Sequence, residues 1–129
     1  MGTTGMARIL VIEDEELARW TIRDILEAEG YQVAEAADGE EGLALQKARP
    51  ADLVVTDIIM PNKDGVATII EMRKAFPTLP IIAVSGGGRT KNLDFLRFAE
   101  EFGANRVLVK PFPAEALVAA IRTCLAGRR

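Results

Sequence analysis

Five side chains in this sequence could do chemistry together: Glu13, Asp14, Asp57, Ser85 and Lys110. Each ends or closely follows a short apolar run, at 9–12, 53–55, 81–84 and 107–109. Three carboxylates, one hydroxyl and one ammonium have a narrow repertoire. Asp14 and Asp57 would repel each other at close range unless a cation sat between them. Mg²⁺ answers that need, because it takes few protein carboxylates, keeps waters and shares its remaining sites with phosphate oxygens. The chain has no His and a single cysteine, Cys124, which excludes Cys/His zinc sites, imidazole bases, histidine phosphodonors and an internal disulfide. Phosphate chemistry follows from what is left. Lys110 can neutralise a phosphoryl oxygen, Ser85 can donate a hydrogen bond to another, and Asp57, central among the acids, is the candidate nucleophile.

The elements that must position these groups are legible in the apolar rhythm. At 129 residues, 49% of them hydrophobic, the chain is the size of one domain with one covered core. With 16 Lys and Arg against 19 Asp and Glu the net charge is −3, so phosphate-backbone binding to nucleic acid has no driving force. No apolar run approaches the roughly 20 residues of a membrane span, and 1–7 lacks the pattern of a secretory signal, so a soluble cytoplasmic protein is expected. The four apolar runs named above are too short for helices and read as interior strands of a parallel sheet, while the more polar 31–36 reads as a fifth strand at an edge. Helical periodicity occupies 16–29, where Ala18, Ile22, Ile25 and Leu26 share a face and Gly30 supplies the stop. It recurs at about 39–49, 66–76, 92–102 and 114–126, the last burying Leu117, Ile121 and Leu125. Strands alternating with helices give a doubly wound α/β sandwich, whose ligand site lies beyond the carboxyl ends of the strands. The five chemical side chains all fall there.

Those residues carry a resemblance. The chain is similar, over about 7–126, to the receiver domain of two-component response regulators. The likeness rests on Val11-Ile12-Glu13-Asp14-Glu15, on Val54-Val55-Thr56-Asp57-Ile58-Ile59-Met60-Pro61 with Asp64-Gly65, on Ser85, and on Gly103-Ala104 followed by Val109-Lys110-Pro111-Phe112. It implies a flavodoxin-like fold, a five-stranded parallel sheet of order 2-1-3-4-5 with five helices. It also implies that Asp57 accepts a phosphoryl group from a histidine kinase or phosphotransfer protein. Asp14 and Asp57 would bind Mg²⁺ directly, Glu13 largely through a coordinated water, and the Ile59 backbone carbonyl would complete the protein ligands. Ser85 would follow the phosphoryl group inward, Lys110 would pair with it, and the Lys110–Pro111 bond would be cis. The first helix would dock the phosphodonor, making Leu17, Ala18, Trp20 and Thr21 candidate contacts; Trp20 falls opposite the apolar stripe and should face solvent. A downstream protein target would read the face made by the fourth helix, fifth strand and fifth helix. Nucleic acid and membrane are not expected as direct partners, and homodimerisation stays open. Residues 1–6 read as an extension or cloning remnant and 127–129 as a tail. With no room for an output domain, the chain is expected to be a stand-alone receiver or a piece of a longer protein.

Three departures from the family pattern matter. Val107 stands where many receivers carry Tyr or Phe, which leaves switching to the Ser85 loop and the fourth helix. Gly86-Gly87-Gly88 follows Ser85 in a loop a few residues longer than usual. Ile59 and Gly87 occupy positions that often hold polar side chains steering the hydrolytic water, so slow loss of phosphate is expected. Read alone, Ser85 would be a turn hydroxyl and Lys110 a surface lysine; Asp64-Gly65 reads as a turn without chemistry, and Cys124 as a small, partly buried apolar residue. Two other functions compete with a self-phosphorylating, self-hydrolysing switch. One is an interaction module working without phosphate. The other is an aspartyl phosphatase, disfavoured because Ile59 stands where a second acid would be needed. A flavin or nucleotide binder is disfavoured by Glu13 and Asp14, which would repel a phosphate lacking a metal.

Overall fold

The chain's computed structural model describes residues 7–58, 65–85, 97 and 100–127. Apolar β-branched runs form the strands β1 (Arg8–Ile12), β3 (Leu53–Asp57) and β4 (Ile81–Ser85), in which nearly every residue is buried. That is the signature of strands covered on both faces. β2 (Gln32–Ala36) and β5 (Arg106–Val109) complete a parallel sheet of order β2-β1-β3-β4-β5. Among the described residues β2 pairs with β1 alone, the edge place its polar sequence predicts.

β5 corrects the sequence reading. Its apolar run predicts an interior strand, yet among the described residues it pairs with β4 alone and forms the other edge, and Val109 is 39% exposed. The three-residue run is as long as that of the central β3, so local apolarity does not set how many neighbours a strand has.

Helices α1 (Glu16–Ala28), α2 (Gly39–Ala48) and α3 (Gly65–Ala75), with a C-terminal helix at Ala114–Ala126, lie within one residue of their predicted ranges. Residues 97 and 100–102 are helical; the rest of the predicted 92–102 helix lies outside the described residues. α2 starts at Asp38, whose carboxylate accepts from the Glu41 amide at 2.8 Å while Glu41 accepts from the Ala37 amide at 2.7 Å. This reciprocal cap satisfies two otherwise orphaned donors. The stops at Gly30 and Gly103 adopt φ of 92° and 130°, the left-handed region that a Cβ disfavours.

Period-two alternation splits the sheet's side chains between two cores. Ile9, Val11, Val55, Ile82 and Val84 pack against Ile22 and Leu26 of α1 and Leu117 and Ile121 of the C-terminal helix. Leu10, Ile12, Val54, Ile81 and Ala83 pack against Leu43 of α2 and Ile69 and Met72 of α3. Each fully buried Ile or Leu contributes about 2 kcal/mol. β1 lies between β2 and β3, so the chain reverses its direction of growth across the sheet there, and the crevice opens beyond the carboxyl ends of β1 and β3. No helix among the described residues is long and apolar enough to cross a membrane.

Candidate functional site

Register brings the predicted groups together. Ile12 of β1 is level with Thr56, and Asp57 with Val84, so the residues just past Ile12 and at the end of β3 share one rim. One carboxylate oxygen from each of Glu13, Asp14 and Asp57 lies within 4.8 Å of the others. Glu13 and Asp57 are buried, at 1% and 6% exposure, while Asp14 faces solvent. An all-oxygen set with one accessible acid fits a hard divalent cation that keeps part of its water. Lys110 reaches in from the end of β5: Nζ lies 2.6 Å from Glu13 Oε1 and 3.6 Å from Asp57 Oδ2. Burial lowers the pKa of this ammonium, but the hydrogen bond and charge of Glu13, together with Asp57, outweigh that and raise it, so Lys110 stays charged.

Ser85 ends β4 with no exposure, and its Oγ has no hydrogen-bond partner among the described residues. Buried hydroxyls are normally paired, so an orphan at this rim fits an oxygen-rich group that arrives from outside. The Lys110 amide donates to the Ser85 carbonyl at 2.7 Å, tying the two predicted residues together through the backbone. The Lys110–Pro111 bond is cis, as expected. The Ile59 carbonyl and the 86–88 glycines lie outside the described residues, as do residues 60–64, 1–6 and 128–129.

A sequence profile described as the response regulator receiver domain matches residues 9–122. The chain belongs to this family. Among curated relatives, PdtaR of Mycobacterium tuberculosis, a transcriptional regulatory protein, is 35% identical over 125 residues, covering 95% of this chain and 58% of PdtaR. The protein PilH of Pseudomonas aeruginosa is 33% identical, covering 95% of this chain and all of PilH. The solved structure of a response regulator receiver domain protein from Clostridium thermocellum superposes with a TM-score of 0.87 at 33% identity, covering 95% and 96% of the two chains. The receiver domain thus spans little more than half of PdtaR and the full length of PilH.

The predicted docking residues form one end of α1. Leu17 is 70% and Trp20 38% exposed, as the helical phase requires. The Arg23 guanidinium lies 5.9 Å from the centre of the Trp20 ring. Thr21 donates its hydroxyl to the Leu17 carbonyl at 2.8 Å. Ala18 and Thr21 line a cleft of ≈ 270 Å³ that runs past Ile22 and Ile25 to Phe112 and to Lys110, the lysine that pairs with Glu13 and Asp57.

Sequence reasoning missed two residues of the receiver's site. Gly65 opens α3 beneath Asp57: its amide donates to the Ile58 carbonyl at 2.6 Å, and a Cβ there would strike the Asp57 carbonyl and Ile58 Cα. Its motif was visible, but the collision is a tertiary fact. Arg19, one turn into α1, donates through Nη1 to the Glu13 carbonyl and through Nε to Glu35 Oε1, both at 3.0 Å. Its only sequence signal was a basic residue on the flank of an amphipathic helix.

Proposed function

We propose that this receiver domain is a phosphorylation switch in which Asp57 accepts a phosphoryl group from the phosphohistidine of a histidine kinase or phosphotransfer protein. The added charge then alters affinity for a downstream protein. The observation that carries the reading is the meeting of three carboxylates within 4.8 Å beside a charged lysine. In the transfer, an Asp57 carboxylate oxygen forms a bond to phosphorus as the phosphohistidine P–N bond breaks, its electron pair staying on the imidazole nitrogen. Hydrolysis of the resulting acyl phosphate returns the carboxylate and inorganic phosphate. Glu13, Asp14 and Asp57 would hold Mg²⁺, with the Ile59 carbonyl as a further ligand; when bound, the ion neutralises charge on the phosphoryl oxygens. Lys110 orients one phosphoryl oxygen and compensates its charge, and the Ser85 hydroxyl, without a partner among the described residues, donates to another.

The chain's own chemistry is limited to self-phosphorylation from small donors and slow self-hydrolysis, the latter because Ile59 offers the attacking water no hydrogen bond. A donor docks on Leu17, Ala18, Trp20 and Thr21, and the cytoplasm is where such a donor is found. Trp20→Ala should slow transfer from a phosphohistidine donor while leaving self-phosphorylation from acetyl phosphate intact; unchanged transfer removes the docking assignment.

A second reading is an interaction module that works without phosphate. Val107 favours it, packing half-buried against the Leu10–Ile81 core with no aromatic ring to reorient. Incubation with acetyl phosphate and Mg²⁺ followed by intact mass separates the readings. A single labile phosphate absent from Asp57→Asn supports the switch, no adduct favours the second reading, and turnover of many equivalents of a phosphomonoester would indicate a phosphatase.

A further inference from the structure

The Glu13 peptide is held from both sides. Its amide donates to the Ala36 carbonyl of β2 at 3.0 Å, and its carbonyl accepts from Arg19 Nη1 at 3.0 Å. The next residue is Asp14, the one solvent-facing acid of the cluster, at a turn where no strand partner fixes it. Arg19 is itself anchored: Nε donates to Glu35 Oε1 at 3.0 Å, Arg23 Nη1 holds the other Glu35 oxygen at 3.3 Å, and Glu16 Oε2 stands 4.0 Å from Arg19 Nη2. The Arg19 side chain is only 14% exposed, so its fork has little freedom.

A cation beside a proposed cation site is a paradox on charge alone, since it repels the ion. Glu35 removes the paradox by neutralising Arg19 locally, so that the guanidinium can grip the Glu13 carbonyl without cancelling the field of the acids. We propose that Arg19 is a positioning residue for the metal site, setting the direction of the Glu13–Asp14 turn, and that Glu35 is its charge-balancing partner. This rests on the Mg²⁺ reading above and adds residues outside the acidic cluster to it. Supporting groups of this kind commonly govern metal affinity without touching the metal.

The sign of one measurement decides it. Removing a positive charge should tighten Mg²⁺ binding by Coulomb's law, whereas releasing the turn should weaken it. Calorimetric titration of Mg²⁺ into the full chain is expected to give a Kd about tenfold weaker for Arg19→Ala than for wild type. Arg19→Lys, which keeps a donor and the charge, should recover part of the loss. Glu35→Gln leaves the grip but bares the charge, so its Kd should weaken about threefold at low salt and return to the wild-type value at high salt. Circular dichroism without Mg²⁺ checks that each variant is folded; if Arg19→Ala is not, Arg19→Gln carries the same sign test. An equal or tighter Kd in a folded Arg19→Ala or Arg19→Gln overturns the inference while the metal reading stands. A wild-type chain that takes up no Mg²⁺ overturns that reading, and the inference with it.

Discussion

Lys110 Nζ is bound to Glu13 Oε1 at 2.6 Å and stands a further ångström from the proposed acceptor, 3.6 Å from Asp57 Oδ2. Its closer partner is thus the neighbouring buried acid, and in the proposed switch, pairing with a phosphoryl group would require it to loosen that bond. The bond also supports the fold: Glu13 is 1% exposed, and its other carboxylate oxygen is held by the Glu15 amide at 3.1 Å. Lys110→Ala should therefore cost about 2 kcal/mol by leaving a buried carboxylate under-compensated. Saturating Mg²⁺ should restore most of that loss, because a cation replaces the missing ammonium beside Glu13. Urea denaturation with and without Mg²⁺ tests this, and a loss of the same size in both conditions would count against it.

Ser85 predicts the opposite trade. A fully buried Oγ without a partner among the described residues costs folding free energy, so Ser85→Ala should leave stability unchanged or raise it by about 1 kcal/mol. In the proposed switch the same variant should also lose the change in partner affinity on phosphorylation, because the acyl phosphate would lose a donor. Thermal melts and binding of the phosphorylated chain to its target read the two effects separately. A clear drop in melting temperature would mean the hydroxyl has a structural role instead.

Gly65→Ala sets a steric limit on the same site. The new methyl would meet the backbone of Asp57 and Ile58, which cannot step aside as a flexible side chain would. A loss of about 3 kcal/mol is expected, together with slower acceptance of phosphate in the proposed switch, since relief of the clash must move Asp57, its proposed acceptor. Stability within the error of wild type would show that the α3 entry can shift freely.

Much of this was open to a reader of the sequence alone, for identifiable reasons. Runs such as Ile9-Leu10-Val11-Ile12 encode a strand locally, and the acids, serine and lysine that follow them inherit their places from the sheet. Trp20 was placed in solvent by helical phase alone. Val109 shows the limit: local apolarity does not say how many neighbours a strand has, and β5 is an edge. Arg19 and Gly65 were hidden for a different reason. Their roles are contacts with the backbone at and just past the ends of β1 and β3, which depend on how helices seat against strand ends and leave no periodic trace.

Cys124 gives a prediction with a defined sign. It is half-buried against the core that includes Leu117 and Ile121; burial pushes its thiol above the ordinary value, and Arg106 pulls it back without cancelling the effect. The folded chain therefore holds the thiol proton more tightly than the unfolded chain. The associated stability is present below the ordinary thiol pKa and is lost as pH rises through the higher folded value. Because the thiolate is the nucleophile, modification by a disulfide reagent at mildly alkaline pH should be slower in the native chain than in the urea-unfolded chain. The stability difference between wild type and Cys124→Ala should narrow as pH rises past the ordinary thiol range, a comparison in which every other group is common to both chains and cancels. Equal reactivity of the native and unfolded thiol would show that burial does not control its proton.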